Sequence, residues 1–390
     1  MSSLSGFVKG GVAALDGLYP EGEARSIILM LLEERLSLPR HMYLTEPSME
    51  IPGPYLAGLS ADLSRLCAGE PIQYVLGYAD FYGRRFRVTP ATLIPRPETE
   101  LLCREAIRSF KSGQGNIPET ASAPLQPLPQ SSTAGPSLLR GRGWPRVSGI
   151  QPSPAQQTHG TTGDNGDIPY PSTGVTARGF VNGRGPGLDG SGREARFSAG
   201  TEGHGRDLPV EGYGISPKRQ VRILDLCTGS GNIAWTLALE IPGAEVTGVD
   251  ISEEALTVAR GQGLAVKGPE FFRTDVLGEP DDFGRGPFDI VVSNPPYILD
   301  KEREAMRPNV LEHEPWGALF VPDSDPEVFL RAIARWSEAL MAPGALGICE
   351  INEDRGDEAV AVFMAAGFID VALIRDFSEK TRFVRYKNRA

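Results

Sequence analysis

Cysteine is scarce in this chain, with four in 390 residues. Cys67, Cys103, Cys227 and Cys349 stand far apart and form no Cys-x-x-Cys pair, so neither a disulfide framework nor a zinc site is indicated. A reduced, cytoplasmic setting and no metal are therefore expected. Long apolar runs are missing as well. No stretch approaches the roughly 20 residues needed to cross a bilayer, and no basic-plus-apolar signal is visible at the start, so no membrane partner is expected. Basic residues are outnumbered, 39 Lys and Arg against 50 Asp and Glu, for a net charge of -11. That balance argues against a mainly electrostatic grip on DNA or RNA. With 40% apolar residues the chain can still build a core, either as two domains or as one large domain with an insertion.

Composition changes sharply between Lys111 and Gln220, where 34 of 110 residues are Gly or Pro. Such a proportion signals low complexity rather than a packed domain, and a long disordered insertion is expected at about 112–218. Arg140-Gly-Arg142-Gly and Gly183-Arg184-Gly within it read as solvated linker rather than RNA-binding elements. The segment carries 11 basic and 8 acidic residues, which leaves 28 against 42, or -14, for the remainder. The part expected to carry chemistry is thus even less suited to nucleic acid than the whole.

Before the insertion, Ala24, Ile27, Ile28, Leu31, Leu32 and Leu36 repeat at helical spacing, which predicts a helix over 21–38 closed by Pro39. A second helix is predicted over 60–68, with Ser60 as its N-cap and Gly69 just past its end. Residues 1 to about 70 thus read as a small helical domain. Alternation on either side of Gly83 predicts a β-hairpin, and Pro97 and Glu98 can open a helix through Leu101, Leu102, Ala106 and Ile107.

After the insertion the pattern becomes strand, glycine turn, helix, strand and acid. Val221 to Leu226 is a strand, Cys227-Thr228-Gly229-Ser230-Gly231-Asn232 a turn, Ile233 onward a helix, and Glu245 to Asp250 a second strand ending 19 residues after Gly231. This is the nucleotide-cradling half of a doubly wound sheet, with Asp250 placed for ribose hydroxyls. The third glycine of a dinucleotide fingerprint is absent, so a nicotinamide cofactor is the weaker reading. A helix capped by Ser252 follows, then a short strand running to Asp275, an acid placed to receive an adenine amino group. Further strands are predicted at 288–293 and 345–351, and 370–375 can pair antiparallel with 382–386. The expected fold is α/β, a seven-strand, mostly parallel, doubly wound sheet with an antiparallel tail.

The fourth of these strands ends in Asn294-Pro295-Pro296-Tyr297. Two prolines stop the strand in a rigid loop that offers the Asn294 side-chain oxygen and the Pro295 carbonyl as acceptors, with the Tyr297 ring beside them. That set suits the holding of a planar NH2 group while its nitrogen is methylated. An amide or aromatic amine nitrogen is a poor nucleophile, and two acceptors gripping its hydrogens favour the geometry in which its lone pair is available. The plain alternative is a strand-ending turn. His313, Glu314 and Glu350 fall in rim segments, show no partner in the sequence, and read as structural.

Together, Gly69-Glu70-Pro71-x-Gln73-Tyr74-x-x-Gly77, Ile94-Pro95-Arg96-Pro97-Glu98-Thr99-Glu100, Leu224-Asp225-Leu226-x-Thr228-Gly229-Ser230-Gly231 and Ser293-Asn294-Pro295-Pro296-Tyr297-Ile298 resemble the bacterial peptide chain release factor glutamine methyltransferases, the PrmC or HemK family. The resemblance covers roughly residues 20–110 and 220–388. It implies a Rossmann-like methyltransferase domain at 98–390, a helical release-factor-recognition domain at 1–70 and a linking β-hairpin at 71–97. It also implies S-adenosyl-L-methionine as co-substrate and methylation of the glutamine amide in the Gly-Gly-Gln tip of release factors one and two by a monomer. Asn294, Pro295, Pro296 and Tyr297 would hold the glutamine amide, with Asn294, Pro295 and Tyr297 catalytic and Asn294 also touching the donor. Cys227, Thr228, Gly229, Ser230 and Gly231 would line the methionine part of the donor, and Asp250 would bind its ribose. Two departures stand out. Cys227 replaces the family's usual glycine, so that a positive φ there would be strained, and Val276 stands where some relatives have a tryptophan. Two alternatives stay open, an adenine or cytosine amino-methyltransferase of nucleic acid and an inactive translation-associated binding protein.

Overall fold

The computed structural model describes residues 3–113, 220–264 and 267–390. The expected insertion at about 112–218 falls almost wholly outside the described residues. Seven strands form the central sheet: β1 Arg222–Leu226, β2 Glu245–Asp250, β3 Glu270–Arg273, β4 Phe288–Ser293, β5 Met341–Glu350, β6 Ile369–Arg375 and β7 Thr381–Lys387. Their order is β6-β7-β5-β4-β1-β2-β3. β3, β2, β1, β4 and β5 run parallel, and β7 is antiparallel to both β5 and β6. The doubly wound, mostly parallel sheet with an antiparallel tail is as the sequence predicts.

Successive side chains of a strand point to opposite faces, so each buried strand feeds two cores. On one face Ile223, Ile290, Val292, Leu346 and Ile348 meet Leu102 and Ala106 of helix Glu100–Gly113, and Ile233 and Leu237 of helix Asn232–Glu240. On the other, Leu224, Val291, Cys349 and Tyr386 meet Ile333 and Trp336 of helix Val328–Leu340, and Phe363 of helix Gly356–Ala365. Burial on both faces explains why β1 and β4 are apolar runs rather than alternating ones.

The three long N-terminal helices are Leu4–Ala14, Glu21–Leu36 and Gly53–Cys67, with a single helical turn, Met42–Thr45, ahead of the last. The third corrects the sequence reading, for it starts seven residues before Ser60. Pro54 in its first turn needs no N–H and presets φ, and Leu59, Leu63 and Leu66 then form the buried stripe. Glycines and a proline in the first turns disguised the periodicity. The Arg35 guanidinium donates to Asp62 at 2.7 Å and to the Val75 carbonyl at 2.9 Å, tying two of these helices to the segment that follows. That segment opens with a short helix, Ile72–Leu76, ahead of the hairpin Tyr78–Phe81 and Arg84–Arg87. The expected linker at 71–97 is therefore part helix, ended by Gly77 in the left-handed conformation at φ 85°. Arg307 pairs with Glu23 at 2.7 Å and Tyr78 donates to Glu34 at 2.8 Å, so the helical segment is fastened to the rest of the chain at more than one point.

Candidate active site

The turn after β1 is built on a buried acid. Asp225 Oδ2 accepts from Thr228 Oγ1 at 2.6 Å and from the Ala234 amide at 3.1 Å, so one carboxylate oxygen holds both the turn and the first helical turn beyond it. Its other oxygen has no hydrogen-bond partner among the described residues. Burial pushes the Asp225 carboxyl up to about 7. Cys227 sits at φ 59°, Gly229 at 54° and Gly231 at 77°. The backbone at 227 thus requires the conformation that a glycine adopts freely and a cysteine adopts at a cost of about 1 kcal/mol.

Asp250, at the end of β2, closes on this turn. Its Oδ2 accepts from the Gly229 amide at 2.8 Å and its Oδ1 from the Ser252 amide at 2.9 Å. Each oxygen keeps a further lone pair for a hydroxyl. At Gly229, its own atoms and those of its two chain neighbours apart, no atom of the described residues lies within 4 Å of where a side chain would begin. An open approach to backbone N–H groups beside a fixed carboxylate fits a ribonucleoside donor. Asp275 lies just past β3, exposed, with Oδ1 accepting from the Leu277 amide at 2.9 Å, while Thr274 is tied to the Asp250 carbonyl at 2.9 Å. Val276 turns the other way, into the core.

β4 brings the Asn-Pro-Pro-Tyr loop to the same edge. Ser293 Oγ donates to the Leu226 carbonyl at 2.8 Å, so the last residue before Asn294 is bonded to the last residue before Cys227. Asn294 and Tyr297 are half-buried and both prolines buried. Asn294 Nδ2 donates to Thr99 Oγ1 at 3.3 Å, Thr99 Oγ1 donates to Glu350 Oε2 at 2.8 Å, and the Tyr297 hydroxyl donates to Glu350 Oε1 at 3.0 Å. Behind the loop, Asn352 donates to the Tyr297 carbonyl at 3.3 Å and to Glu302 Oε2 at 3.0 Å. The structure therefore brings residues 227–231, 250 and 294–297 to one rim, with Asp275 one strand further out.

Sequence reading gives Thr99 no role beyond its place in the block Ile94 to Glu100 and sets Glu350 aside as structural. The rule that singled out Asp250, an acid at the carboxyl end of a buried parallel strand, applies equally to Glu350 at the end of β5. The other two residues set aside, Glu314 and His313, show what a structural part looks like. Glu314, buried, receives Arg96 at 2.6 Å and the Ile94 amide at 3.1 Å, and His313 Nε2 lies 3.3 Å from the Ala68 carbonyl. Glu314 thereby pins the segment leading to Thr99, while His313 reaches the end of helix Gly53–Cys67. Among the described residues no group of three His, Cys, Asp or Glu is placed to hold a metal ion, and no helix is long and apolar enough to cross a membrane.

Burial pushes the Glu350 carboxyl from its ordinary 4.5 up to about 7, against the lowering effect of hydrogen bonds from Thr99 and Tyr297. Tyr297 is raised by burial and by Glu350. Folding thus holds a proton on Glu350 that the unfolded chain releases between pH 4.5 and 7. The stability this group contributes is complete below the lower value and is lost as pH rises through the upper one. Glu350→Gln should gain on the parent by up to roughly 3 kcal/mol between pH 4 and pH 8, on top of any pH-independent offset. Urea melts of both proteins across that range check the slope; a constant difference would show that Glu350 titrates normally.

A family model described as a PrmC N-terminal domain matches residues 8–77, and one described as a methyltransferase domain matches residues 217–352. The release factor glutamine methyltransferase of Bacteroides thetaiotaomicron is 27% identical over 371 residues, 95% of this chain and 95% of its own length. That of Flavobacterium psychrophilum is 25% identical over 374 residues, 96% of this chain and 95% of its own. That of Clostridium acetobutylicum is 35% identical over 166 residues, 42% of this chain and 58% of its own. Over most of its length the chain is thus similar to release factor glutamine methyltransferases, and its glycine turn, its acid and its Asn-Pro-Pro-Tyr loop share one rim.

Proposed function

We propose that this chain methylates the side-chain amide nitrogen of the glutamine in the Gly-Gly-Gln tip of peptide chain release factors one and two. The observation that carries the reading is the bond from Ser293 to the Leu226 carbonyl, which sets the amide-holding loop against the glycine turn. Residues 227–231 and Asp250 hold the donor, S-adenosyl-L-methionine, and Asp275 receives its adenine amino group. When bound, the donor supplies an electrophilic methyl on a positive sulfur that departs as a neutral thioether.

The protein's part is positioning. The Asn294 oxygen and the Pro295 carbonyl accept the two hydrogens of the glutamine NH2, which turns the nitrogen lone pair towards the methyl. Tyr297 packs beside that nitrogen. A strong base is not needed before attack, because the nitrogen becomes acidic as it gains the methyl group. The leaving group is neutral, so neither a metal nor a covalent enzyme intermediate is called for. The helical domain at 1–70 recognises the release factor, and the domain at 98–390 performs the transfer in the cytoplasm.

Mass spectrometry of a bacterial release factor incubated with the protein and S-adenosyl-L-methionine tests this directly. One added methyl on the glutamine of the Gly-Gly-Gln tip is expected. No added methyl, with donor binding intact, would overturn the substrate.

A further inference from the structure

The loop that holds the amide has its own support, and that support has a direction. Above about pH 7, where it is ionised, Glu350 only accepts hydrogen bonds; 2% exposed, it receives one on each oxygen, from Thr99 and from Tyr297. Thr99 has a single hydroxyl proton, and at 2.8 Å it is committed to Glu350. Towards Asn294 the same hydroxyl oxygen can then only accept. Asn294 must present its NH2 to Thr99, 3.3 Å away, and its carbonyl oxygen to the other side. Reversing that amide would set two proton-free oxygens against each other.

We propose that Glu350 and Thr99 form a positioning relay that fixes which end of the Asn294 amide faces the substrate, so that the site presents an acceptor and takes a carboxamide rather than a carboxylate. The proposal rests on the reading of Asn294 as the amide clamp. It deepens that reading by naming what sets its polarity. Asn294 alone is symmetric to within a flip of its amide, and a flipped Asn294 would offer NH2 to an NH2. A site whose polar partner is held one way rejects the near-isosteric glutamate, because a carboxylate has no hydrogens to give and leaves the acceptor unpaired.

Charged neighbours act on Glu350 in both senses. Arg382 from β7 lies close enough to favour the charged carboxylate, while Glu98 opposes it. Arg382 is itself held by Asp376 at 2.8 Å and Glu353 at 3.1 Å, and both Arg382 and Arg96 work against the rise of the Tyr297 hydroxyl. Thr99 comes from the 3-10 turn Pro97–Thr99 that opens helix Glu100–Gly113, and the residue is only 1% exposed. Protonation of Glu350 would give it a proton to donate, which is why the raised carboxyl matters to the direction of the relay.

The test uses the full chain with a release factor and S-adenosyl-L-methionine. Thr99→Val removes the hydroxyl without changing shape, and is expected to lower kcat about 10- to 100-fold while both KM values stay within about threefold. Thr99→Ser restores the hydroxyl and is expected to recover most of that loss. Donor titration and thermal melting establish that each variant is folded. A Thr99→Val enzyme with kcat within about threefold of the parent, or a serine variant no better than the valine one, overturns the relay. Asn294→Ala separates the two ideas. Turnover retained in Asn294→Ala removes the clamp and the relay together, whereas a dead Asn294→Ala beside a fully active Thr99→Val removes the relay alone.

Discussion

Asn294→Ala is expected to lower turnover by about 100- to 1,000-fold, with donor affinity changed by no more than a few-fold. The side-chain oxygen is one of two acceptors that the reading assigns to the substrate NH2, and its loss leaves the Pro295 carbonyl to hold the group alone. The nitrogen lone pair then no longer has a fixed direction. Proximity still contributes, so the loss is finite. Donor binding has its own supports: Asp250 is held by the Gly229 and Ser252 amides, and the glycine turn by Asp225, none of which touches Asn294. Single-turnover methylation followed by mass spectrometry, beside a donor titration, checks both halves. Turnover near the parent's would sink the clamp, and lost donor binding would move Asn294 to the donor side.

Gly347→Ala is expected to destabilise the fold by about 3–5 kcal/mol, or to prevent folding outright. Gly347 lies on β5 directly opposite Tyr386 of β7. A Cβ there would sit 2.1 Å from two atoms of the tyrosine ring. The ring has nowhere to go. It stacks on Phe363 with centroids 4.0 Å apart, meets Phe368 at 4.7 Å, and shares a buried hydrogen bond of 2.7 Å with Ser337. Either the ring leaves its rotamer and abandons the Ser337 bond, or β7 moves off β5. Glu350 follows three residues along β5, so a protein that folds by moving the strand should also turn over more slowly. Urea unfolding measures the first effect, and an unchanged midpoint would show that the ring swings clear without cost.

Much of the frame was legible because its signals are local. Val221–Leu226 and Phe288–Ser293 are apolar and β-branched, the glycines between them permit a tight turn, and Ser252 caps a helix through its hydroxyl to the Ala255 amide at 3.1 Å. The antiparallel tail was readable from two runs flanking Ser378-Glu379-Lys380. Local signals failed where residues of poor propensity are held by packing. Helix Gly53–Cys67 carries two glycines and a proline early on, and its start was read seven residues late. The segment 72–76 shows no helical signal of its own, and Arg35 and Arg65 bond its carbonyls and hold it helical.

By itself the chain determined the strand runs, the glycine turn with Asp250 at its measured distance in sequence, and the rigid Asn-Pro-Pro-Tyr loop. Each of these is encoded in neighbouring residues through backbone conformation, side-chain alternation or the missing N–H of proline. Only the tertiary structure decided that Thr99 meets Glu350 across 251 residues and Asn294 across 195, that Glu314 receives Arg96 across 218, and that Gly347 must stay bare beneath Tyr386. A buried donor or acceptor must find a partner, but nothing in its own neighbourhood says which. That choice is made when the sheet brings distant strand ends to one rim, and the polarity of the Asn294 amide is set there.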